Sequence, residues 1–210
     1  MTAAGLAEEA EALMDGLGHR KLEVFDFALG ERLAPGFAEL GWHAEGLVHM
    51  IHDGPAPRPE PGVRPEPATD EQVRPIRISW VEAPHTREEV AEHMPTDEAV
   101  GRVLGARNLV LRDGDGAIIA FTRYLAIGDL AEVQNVFVHP GHRGRGLGGT
   151  LTSATIARAM AEGARRVFIV ADAFGRPREL YRRLGFRDAW ESYEFVSILR
   201  PPAKSDAPRT

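Results

Sequence analysis

The chain carries four glycines within six residues, from Gly144 to Gly149, and this stretch is the part of the sequence best suited to phosphate chemistry. It stands between a β-like run that ends at Val138 and a helical run that begins near Thr150. Glycines leave backbone N–H groups without side chains in the way where a helix starts, and the positive end of the helix dipole attracts anions. Arg143 and Arg145 add positive charge. The stretch therefore predicts a site for a phosphorylated cofactor.

Two known types of glycine loop fit this stretch less well. A P-loop ends in Gly-Lys-Ser or Gly-Lys-Thr, whereas Thr150 follows these glycines with no lysine before it. Residues 144–149 do satisfy the dinucleotide pattern G-x-G-x-x-G, and Asp172 stands about where a ribose-binding acid would be. That pattern starts at the very end of its strand, however, and residues 139–143 intervene here. A nucleotide-dependent oxidoreductase is therefore the least favoured of three functional hypotheses.

Two motifs together resemble the GNAT superfamily of N-acetyltransferases. Residues 138–148, Val-His-Pro-Gly-His-Arg-Gly-Arg-Gly-Leu-Gly, are similar to its acetyl-coenzyme A signature, Arg/Gln-x-x-Gly-x-Gly/Ala, here Arg143, Gly146 and Gly148. A second motif of the family, Leu-Tyr-Arg-Arg-Leu-Gly-Phe, follows at residues 180–186. The resemblance covers residues 76–198. It implies the GNAT fold, an α/β (α+β) architecture with a mixed, mostly antiparallel twisted sheet flanked by helices.

The resemblance implies acetyl-CoA as the cosubstrate. In the family the loop N–H groups hold the pyrophosphate, and the main chain of the preceding strand pairs with the pantetheine arm. The residues that this implies for cofactor binding are Val136, Phe137, Val138, Arg143, Gly144, Arg145, Gly146, Leu147, Gly148 and Gly149. Asp172 is added to them because it follows the central strand where many members keep an asparagine that contacts the pantetheine.

Two side chains are candidates for the catalytic chemistry. The family's tyrosine in the second motif sits beside the sulfur, so the resemblance makes Tyr181 the acid for the departing thiolate, and an ordinary pKa of about 10 keeps it protonated. Aromatic packing on the coenzyme is the alternative for Tyr181. An alkylammonium must lose a proton before it attacks, and Glu132 stands where many members keep a base. The alternatives are that Glu132 is a solvent-facing strand residue, or that Asp129, Gln134 or Asn135 takes its place.

Composition excludes several other kinds of protein. With 25 basic and 31 acidic residues the net charge is −6, so no nucleic-acid partner is predicted. The lack of cysteine excludes disulfides, thiolate metal sites and a cysteine nucleophile. His139 and His142 have no evident third ligand, so no metal is expected. Neither a signal peptide nor an apolar stretch of membrane-spanning length is recognised, which predicts a cytoplasmic protein without a membrane partner.

The first 53 residues predict the order helix, strand, helix, strand, with Leu40-Gly41-Trp42 after the second helix. The same order recurs towards the end of the chain around Leu184-Gly185-Phe186. We interpret residues 1–53 as a degenerate, partial GNAT-like segment without a glycine loop, with a chance likeness as the alternative. A segment of this length should pack on the main domain or on a partner subunit, which is compatible with a homodimer.

The remaining boundaries follow from composition. Seven prolines among residues 54–75 predict an extended linker. The acetyltransferase domain is then expected over residues 76–200, and a flexible tail over residues 201–210.

The main domain is predicted to open with a strand at Ile76–Val81. The capping box of Thr86 and Glu89 predicts a helix that Pro95 breaks. In the family this helical region walls the acceptor site. Asp113-Gly114-Asp115-Gly116 predicts a β-hairpin turn in the antiparallel strands that lead to the glycine loop.

The sequence therefore predicts acetyl-CoA-dependent N-acetylation of a primary amine, by direct attack and without a covalent enzyme intermediate. The alternative is a non-catalytic CoA- or acetyl-CoA-binding regulatory module, which the degenerate first segment and the variable base position suggest.

Overall fold

The computed structural model describes residues 1–57, 64–81 and 85–198. Their helices and strands follow the order α1 (Ala3–Leu13), β1 (His19–Val24), α2 (Phe27–Glu39), β2 (His43–His52), β3 (Glu66–Ala68), α3 (Asp70–Ser79), α4 (Arg87–Leu104), β4 (Arg107–Arg112), β5 (Ile118–Ile127), β6 (Leu130–Val138), α5 (Leu147–Ala161), β7 (Arg166–Asp172), α6 (Arg176–Arg183) and β8 (Arg187–Ile198). The predicted tail and part of the predicted linker lie outside the described residues.

The described chain divides into two compact units, of which the smaller joins Met1–Gly46 to the stretch from Ser192 to Ile198. In this unit β1 pairs antiparallel with β8. Phe37 stacks on Phe195 in the core, with 4.1 Å between the ring centroids. The predicted order of helix, strand, helix and strand is observed. That residues 1–53 are a degenerate GNAT copy stays a prediction.

The larger unit, Leu47–Glu191, contains the glycine loop and both candidate catalytic residues. Its strands lie in the order β2-β7-β6-β5-β4-β3. The β6–β7 pair is parallel, and the other pairs are antiparallel. Helix α5 packs on β4, β5, β6 and β7 and buries Leu151, Ile156 and Ala159. This is the mixed, mostly antiparallel sheet flanked by helices that the resemblance implied, so the predicted fold class is confirmed.

The hairpin between β4 and β5 forms where its turn residues predict it. The carboxylate of Asp113 accepts hydrogen bonds from the backbone N–H groups of Asp115 and Ala117, at 3.0 and 2.9 Å. Gly116 has a φ of 83°, a left-handed conformation that glycine adopts without strain.

Among the described residues, no helix is long and apolar enough to cross a membrane.

The prediction of a strand at residues 76–81 is wrong, because most of that stretch belongs to helix α3. A capping box at Thr69 starts this helix. Its apolar side chains Val73, Ile76 and Trp80 have helical spacing and join one hydrophobic cluster of the larger unit. Burial of that face outweighs the local preference of the β-branched residues for a strand.

The predicted linker over residues 54–75 is also corrected where the structure describes it. Strand β3 pairs antiparallel with β4, from Glu66↔Val110 to Ala68↔Asn108. Because β3 is at the end of the strand order, Pro67 is tolerated there, as proline is in edge strands.

Pro95 does not break the helix that begins after the Thr86 capping box. Helix α4 runs through it to Leu104, and the chain turns at Gly105, whose φ is 75°. The buried face of α4 is formed by Met94, Glu98 and Gly101. Packing of this face on both sides of the proline compensates for the hydrogen bond that the proline lacks.

Candidate active site

Strand β6 contains a β-bulge near its centre. Its register with β5 passes from Phe121↔Phe137 to Arg123↔Gln134, so β6 has one more residue than β5 over this stretch. Asn135 lies in the bulge and has a φ of 52°. A bulge leaves its extra residue out of the ladder and turns the main chain, so it can present N–H and C=O groups to a ligand.

The parallel strands β6 and β7 separate after a short paired stretch. Their pairing runs from Leu130↔Arg166 to Val133↔Ile169, although both strands continue further. In the described structure, the edge of β6 that faces β7 therefore has no strand partner beyond Val133. The main-chain groups predicted to hold the pantetheine, at residues 136–138, lie on this part of the strand.

A cavity of about 380 Å³ lies where these two strands separate. It is lined by Glu132, Val133, Gln134, Asn135, Val136, Ile169, Val170 and Tyr181. We call it the reaction cavity, because both predicted catalytic side chains line it although they are far apart in the sequence. The amide of Gln134 donates a 2.7 Å hydrogen bond to the carboxylate of Glu132 and orients it. Asp129 is not among the lining residues.

Tyr181 is held by the end of helix α6. Its carbonyl accepts from the N–H of Phe186 at 3.0 Å, and the carbonyl of Arg182 accepts from the N–H of Gly185 at 3.0 Å. These two bonds form a Schellman motif, in which Gly185 adopts a φ of 93°. The Leu-Gly-Phe part of the second motif is therefore the helix stop that orients the tyrosine.

The hydroxyl of Tyr181 is kept in its protonated form by its surroundings. The side chain is buried, with 6% of the residue exposed. Burial raises the pKa of Tyr181 to about 12, because a phenolate loses its hydration there. A phenol in this state can donate a proton over the whole physiological pH range.

This burial also predicts a loss of stability at alkaline pH. The unfolded phenol ionises near a pKa of about 10, whereas the folded one stays protonated up to about 12, so the unfolded state holds fewer protons above 10. The free energy of unfolding should therefore be unaffected by this group below about pH 10 and fall above it. In thermal unfolding, we expect Tm to fall more steeply above about pH 10 in the wild type than in Tyr181→Phe. Equal slopes would contradict burial of the hydroxyl.

The glycine loop turns the chain from β6 into α5. Gly144 and Gly146 have φ values of 77° and 78°, and Gly146 caps α5 without a side-chain hydrogen bond. The first N–H groups of the helix are thus available to an anion. The Nε of Arg143 donates to the carbonyl of Val138 at 3.1 Å, which ties the loop to the end of the strand. Arg145 contacts the ring of His142, with 3.2 Å between Nη1 and Nδ1.

A second cavity, of about 600 Å³, lies beside this loop. It is lined by Val136, Phe137, Val138, Arg143, Gly144, Gly148, Arg176, Pro177, Leu180, Tyr181 and Arg183. We call it the loop cavity. It shares Val136 and Tyr181 with the reaction cavity. A long ligand can therefore extend from the glycine loop to the side chain of Tyr181.

Six of the predicted cofactor-binding residues line the loop cavity, and the others lie elsewhere. Gly146 and Gly149 line a neighbouring cavity of about 680 Å³ that also includes His52. Arg145 and Leu147 line neither of these two cavities. The carboxylate of Asp172 accepts a 2.8 Å hydrogen bond from the N–H of Phe174, so it supports the turn before α6.

Part of the wall that α6 contributes to the loop cavity was not predicted from the sequence. Arg176, Leu180 and Arg183 line it together. Their i, i+4, i+7 spacing puts them on one face of the helix, and this spacing could have identified them. The two arginines add positive charge beside the loop.

A third cavity, of about 280 Å³, also adjoins the bulge. Its walls come from α3, α4, β5, β6 and described residues between α3 and α4, namely Arg77, Trp80, Val81, His85, Val90, Met94, Phe121, Asn135, Val136 and Phe137. It shares Asn135 and Val136 with the reaction cavity. We call it the acceptor cavity.

Among the described residues there is no group of three or more His, Cys, Asp or Glu that could hold a metal ion.

In the larger unit, two parallel strands thus separate beside a glycine loop, and this loop leads into a helix whose first N–H groups have no side-chain cap. Residues 71–186 match the family model described as the Acetyltransferase (GNAT) family. The match covers more than half of the chain, so the chain belongs to the GNAT acetyltransferase family.

Known proteins with similar sequences or structures include acetyltransferases. A mycothiol acetyltransferase from Clavibacter michiganensis subsp. michiganensis is 38% identical over 82 residues, which are 39% of this chain and 27% of that protein. The matched stretch thus spans about a quarter of the length of this curated relative.

Two solved structures share the fold. A GCN5-related N-acetyltransferase from Sphaerobacter thermophilus has a TM-score of 0.60 at 20% identity, over 94% of this chain and 66% of that chain. A GNAT-superfamily phosphinothricin acetyltransferase from Sinorhizobium meliloti, in complex with AcCoA, has a TM-score of 0.50 at 20% identity, over 70% of this chain and 96% of that chain.

Proposed function

We propose that the chain transfers the acetyl group of acetyl-CoA to a primary amine by direct attack, in a complex that holds both substrates. The observation that carries this proposal is the meeting of the three cavities at Val136. One cavity leads to the glycine loop, one is lined by Glu132 and Tyr181, and one is lined in part by α3 and α4. The related mycothiol acetyltransferase and the AcCoA complex of the phosphinothricin acetyltransferase support the choice of cosubstrate.

The residues of the loop cavity fit a phosphorylated, elongated thioester. The N-terminus of α5 has N–H groups that no side chain caps, and these suit the pyrophosphate. The cavity walls contain the positive charges of Arg143, Arg176 and Arg183. The unpaired edge of β6 offers main-chain groups to the pantetheine amides. When bound, acetyl-CoA supplies an activated acyl group on sulfur.

Each chemical step has a residue that can perform it. Glu132 accepts a proton from the ammonium group of the acceptor and leaves a neutral amine. The main-chain N–H near Val136 donates to the carbonyl oxygen as negative charge develops there. Tyr181 donates its proton to the sulfur as the C–S bond breaks and the N–C bond forms. The second proton that the nitrogen loses on becoming an amide restores the hydroxyl of Tyr181. The products are the N-acetylated amine and free coenzyme A.

Thiol release from acetyl-CoA, measured with a thiol-reactive chromogen across a panel of primary amines, tests the proposal. We expect release that depends on the amine and follows saturation kinetics. A regulatory binding module would instead give a thermal shift with acetyl-CoA and no amine-dependent release, and this result would refute the proposed activity. Competition of NAD(P) with coenzyme A would instead favour the nucleotide oxidoreductase.

A further inference from the structure

The acceptor cavity combines an apolar wall with one permanent charge. Trp80 stacks on Phe137 with 3.4 Å between ring centroids, and its ring lies 5.6 Å from that of Phe121. Val90 and Met94 extend this wall. Among the described lining residues, Arg77 is the one side chain with a permanent charge. The cavity therefore suits a ligand that has an apolar body and a negative group.

The hydrogen bonds of Arg77 are incomplete. Its Nη2 donates to Asp97 Oδ2 at 2.8 Å, and the same oxygen accepts from Arg123 Nη1 at 2.6 Å. Two guanidinium groups thus share one carboxylate oxygen. The Nη1 of Arg77 is buried and has no hydrogen-bond acceptor in the described structure. A buried donor without an acceptor is unfavourable, so the guanidinium gains a charged hydrogen bond if it turns Nη1 towards an anion in the cavity.

The size of the cavity restricts the acceptor further. Its volume of about 280 Å³ is small for a ligand site, since drug-sized ligands occupy pockets of roughly 300–1,000 Å³. It leads to Asn135 and Val136, which also line the reaction cavity. A small molecule in this cavity can therefore place its amine beside the bulge.

We propose that the acceptor is a free amino acid with an apolar side chain. Its carboxylate accepts a hydrogen bond from Arg77, its side chain packs on Trp80 and Phe137, and its amine points towards Glu132. This inference rests on the proposed acetyl transfer. The N–C bond forms as the C–S bond breaks. Glu132 takes one proton of the ammonium group, Tyr181 gives its proton to the sulfur, and the second proton lost by the nitrogen restores the hydroxyl of Tyr181. The products are an N-acetylamino acid and coenzyme A.

Matched pairs of amines that differ only in the carboxylate test the inference. They are L-phenylalanine with phenethylamine, L-leucine with isoamylamine, and L-tryptophan with tryptamine. For the wild-type chain, we expect kcat/KM for the favoured amino acid to exceed that for its decarboxylated partner by about tenfold or more. A charged hydrogen bond to the carboxylate contributes a preference of this size. Titration calorimetry of the enzyme–coenzyme A complex should show the same preference in Kd.

Variants locate the preference at Arg77. Arg77→Gln should reduce the ratio within each pair to near one, while Arg32→Gln, at an exposed position of the smaller unit, should leave it unchanged. If the wild type acetylates the decarboxylated amines as well as the amino acids, or acetylates only other amines, this inference fails and the acetyltransferase proposal stands. If no amine is acetylated, the proposed activity itself fails. The wild-type comparison needs no variant, so poor folding of Arg77→Gln would not prevent the test.

Discussion

Replacing Tyr181 with phenylalanine is expected to lower kcat by about 10²- to 10³-fold, the range that a positioned general acid contributes. The ring would still fill its buried site, so the KM for acetyl-CoA should change by only about twofold to threefold. The physical reason is that the departing thiolate loses its proton donor, whereas the walls of the loop cavity stay in place. Steady-state kinetics with the best amine of the panel measures both quantities.

Tyr193→Phe is the matched control for this prediction. Tyr193 is buried to a similar degree, with 7% of the residue exposed, but it belongs to the core of the smaller unit. Removal of its hydroxyl should leave kcat within about twofold of the wild type, because the residue does not line the reaction cavity. A Tyr181→Phe variant that keeps its kcat would show that Tyr181 only packs against the coenzyme.

The second large effect is expected from Gly148→Asp. The new carboxylate would stand in the first turn of α5, in the wall of the loop cavity, where the pyrophosphate is proposed to bind. Like charges placed together cost several kcal/mol, so the Kd for acetyl-CoA should rise about 100-fold or more. The same carboxylate favours the start of the helix by about 0.3–1 kcal/mol, so the fold should be retained or slightly stabilised. Calorimetric titration and thermal unfolding measure the two effects separately.

Gly148→Ala separates charge from bulk. A Cβ atom at this position would lie 3.7 Å from the side chains of Leu180 and Val138, which is an ordinary van der Waals distance. We therefore expect the alanine variant to bind acetyl-CoA within about tenfold of the wild type. If Gly148→Asp binds acetyl-CoA as tightly as Gly148→Ala, the coenzyme phosphates lie elsewhere.

Several parts of the fold were predictable because a few neighbouring residues define them. The hairpin at residues 113–116 forms through one aspartate side chain and one glycine. The glycine loop and the stop at Gly185 likewise depend on positive φ angles that glycine adopts without strain. The two capping boxes are also local, although only the one at Thr86 was predicted.

The errors arose where distant residues outweigh local preference. The stretch around Ile76 resembles a strand, but its side chains pack in a cluster with Val110 and Phe121 and form a helix. Pro95 is a local helix breaker, yet α4 continues because residues on both sides of it, Met94 and Glu98, are buried. The periodicity of the sequence carries no information about these long-range contacts.

The candidate site shows the same division. The bulge at Asn135 and the separation of β6 from β7 depend on the register of three strands, which no short motif encodes. The positions of Arg176 and Arg183 beside the glycine loop depend on how α6 packs in the folded chain. The incomplete hydrogen bonding of Arg77 likewise depends on Asp97 from another helix and Arg123 from a strand.

Two motifs of a few residues each were enough to identify the family and to predict the coenzyme loop, because close approach to phosphate and a left-handed helix stop are local demands on the backbone. The shape and charge of the acceptor cavity followed only from folding. Its aromatic wall and its arginine come from segments that are distant in the chain, and long-range packing brings them together. Burial then leaves the Nη1 of Arg77 without an acceptor among the described residues.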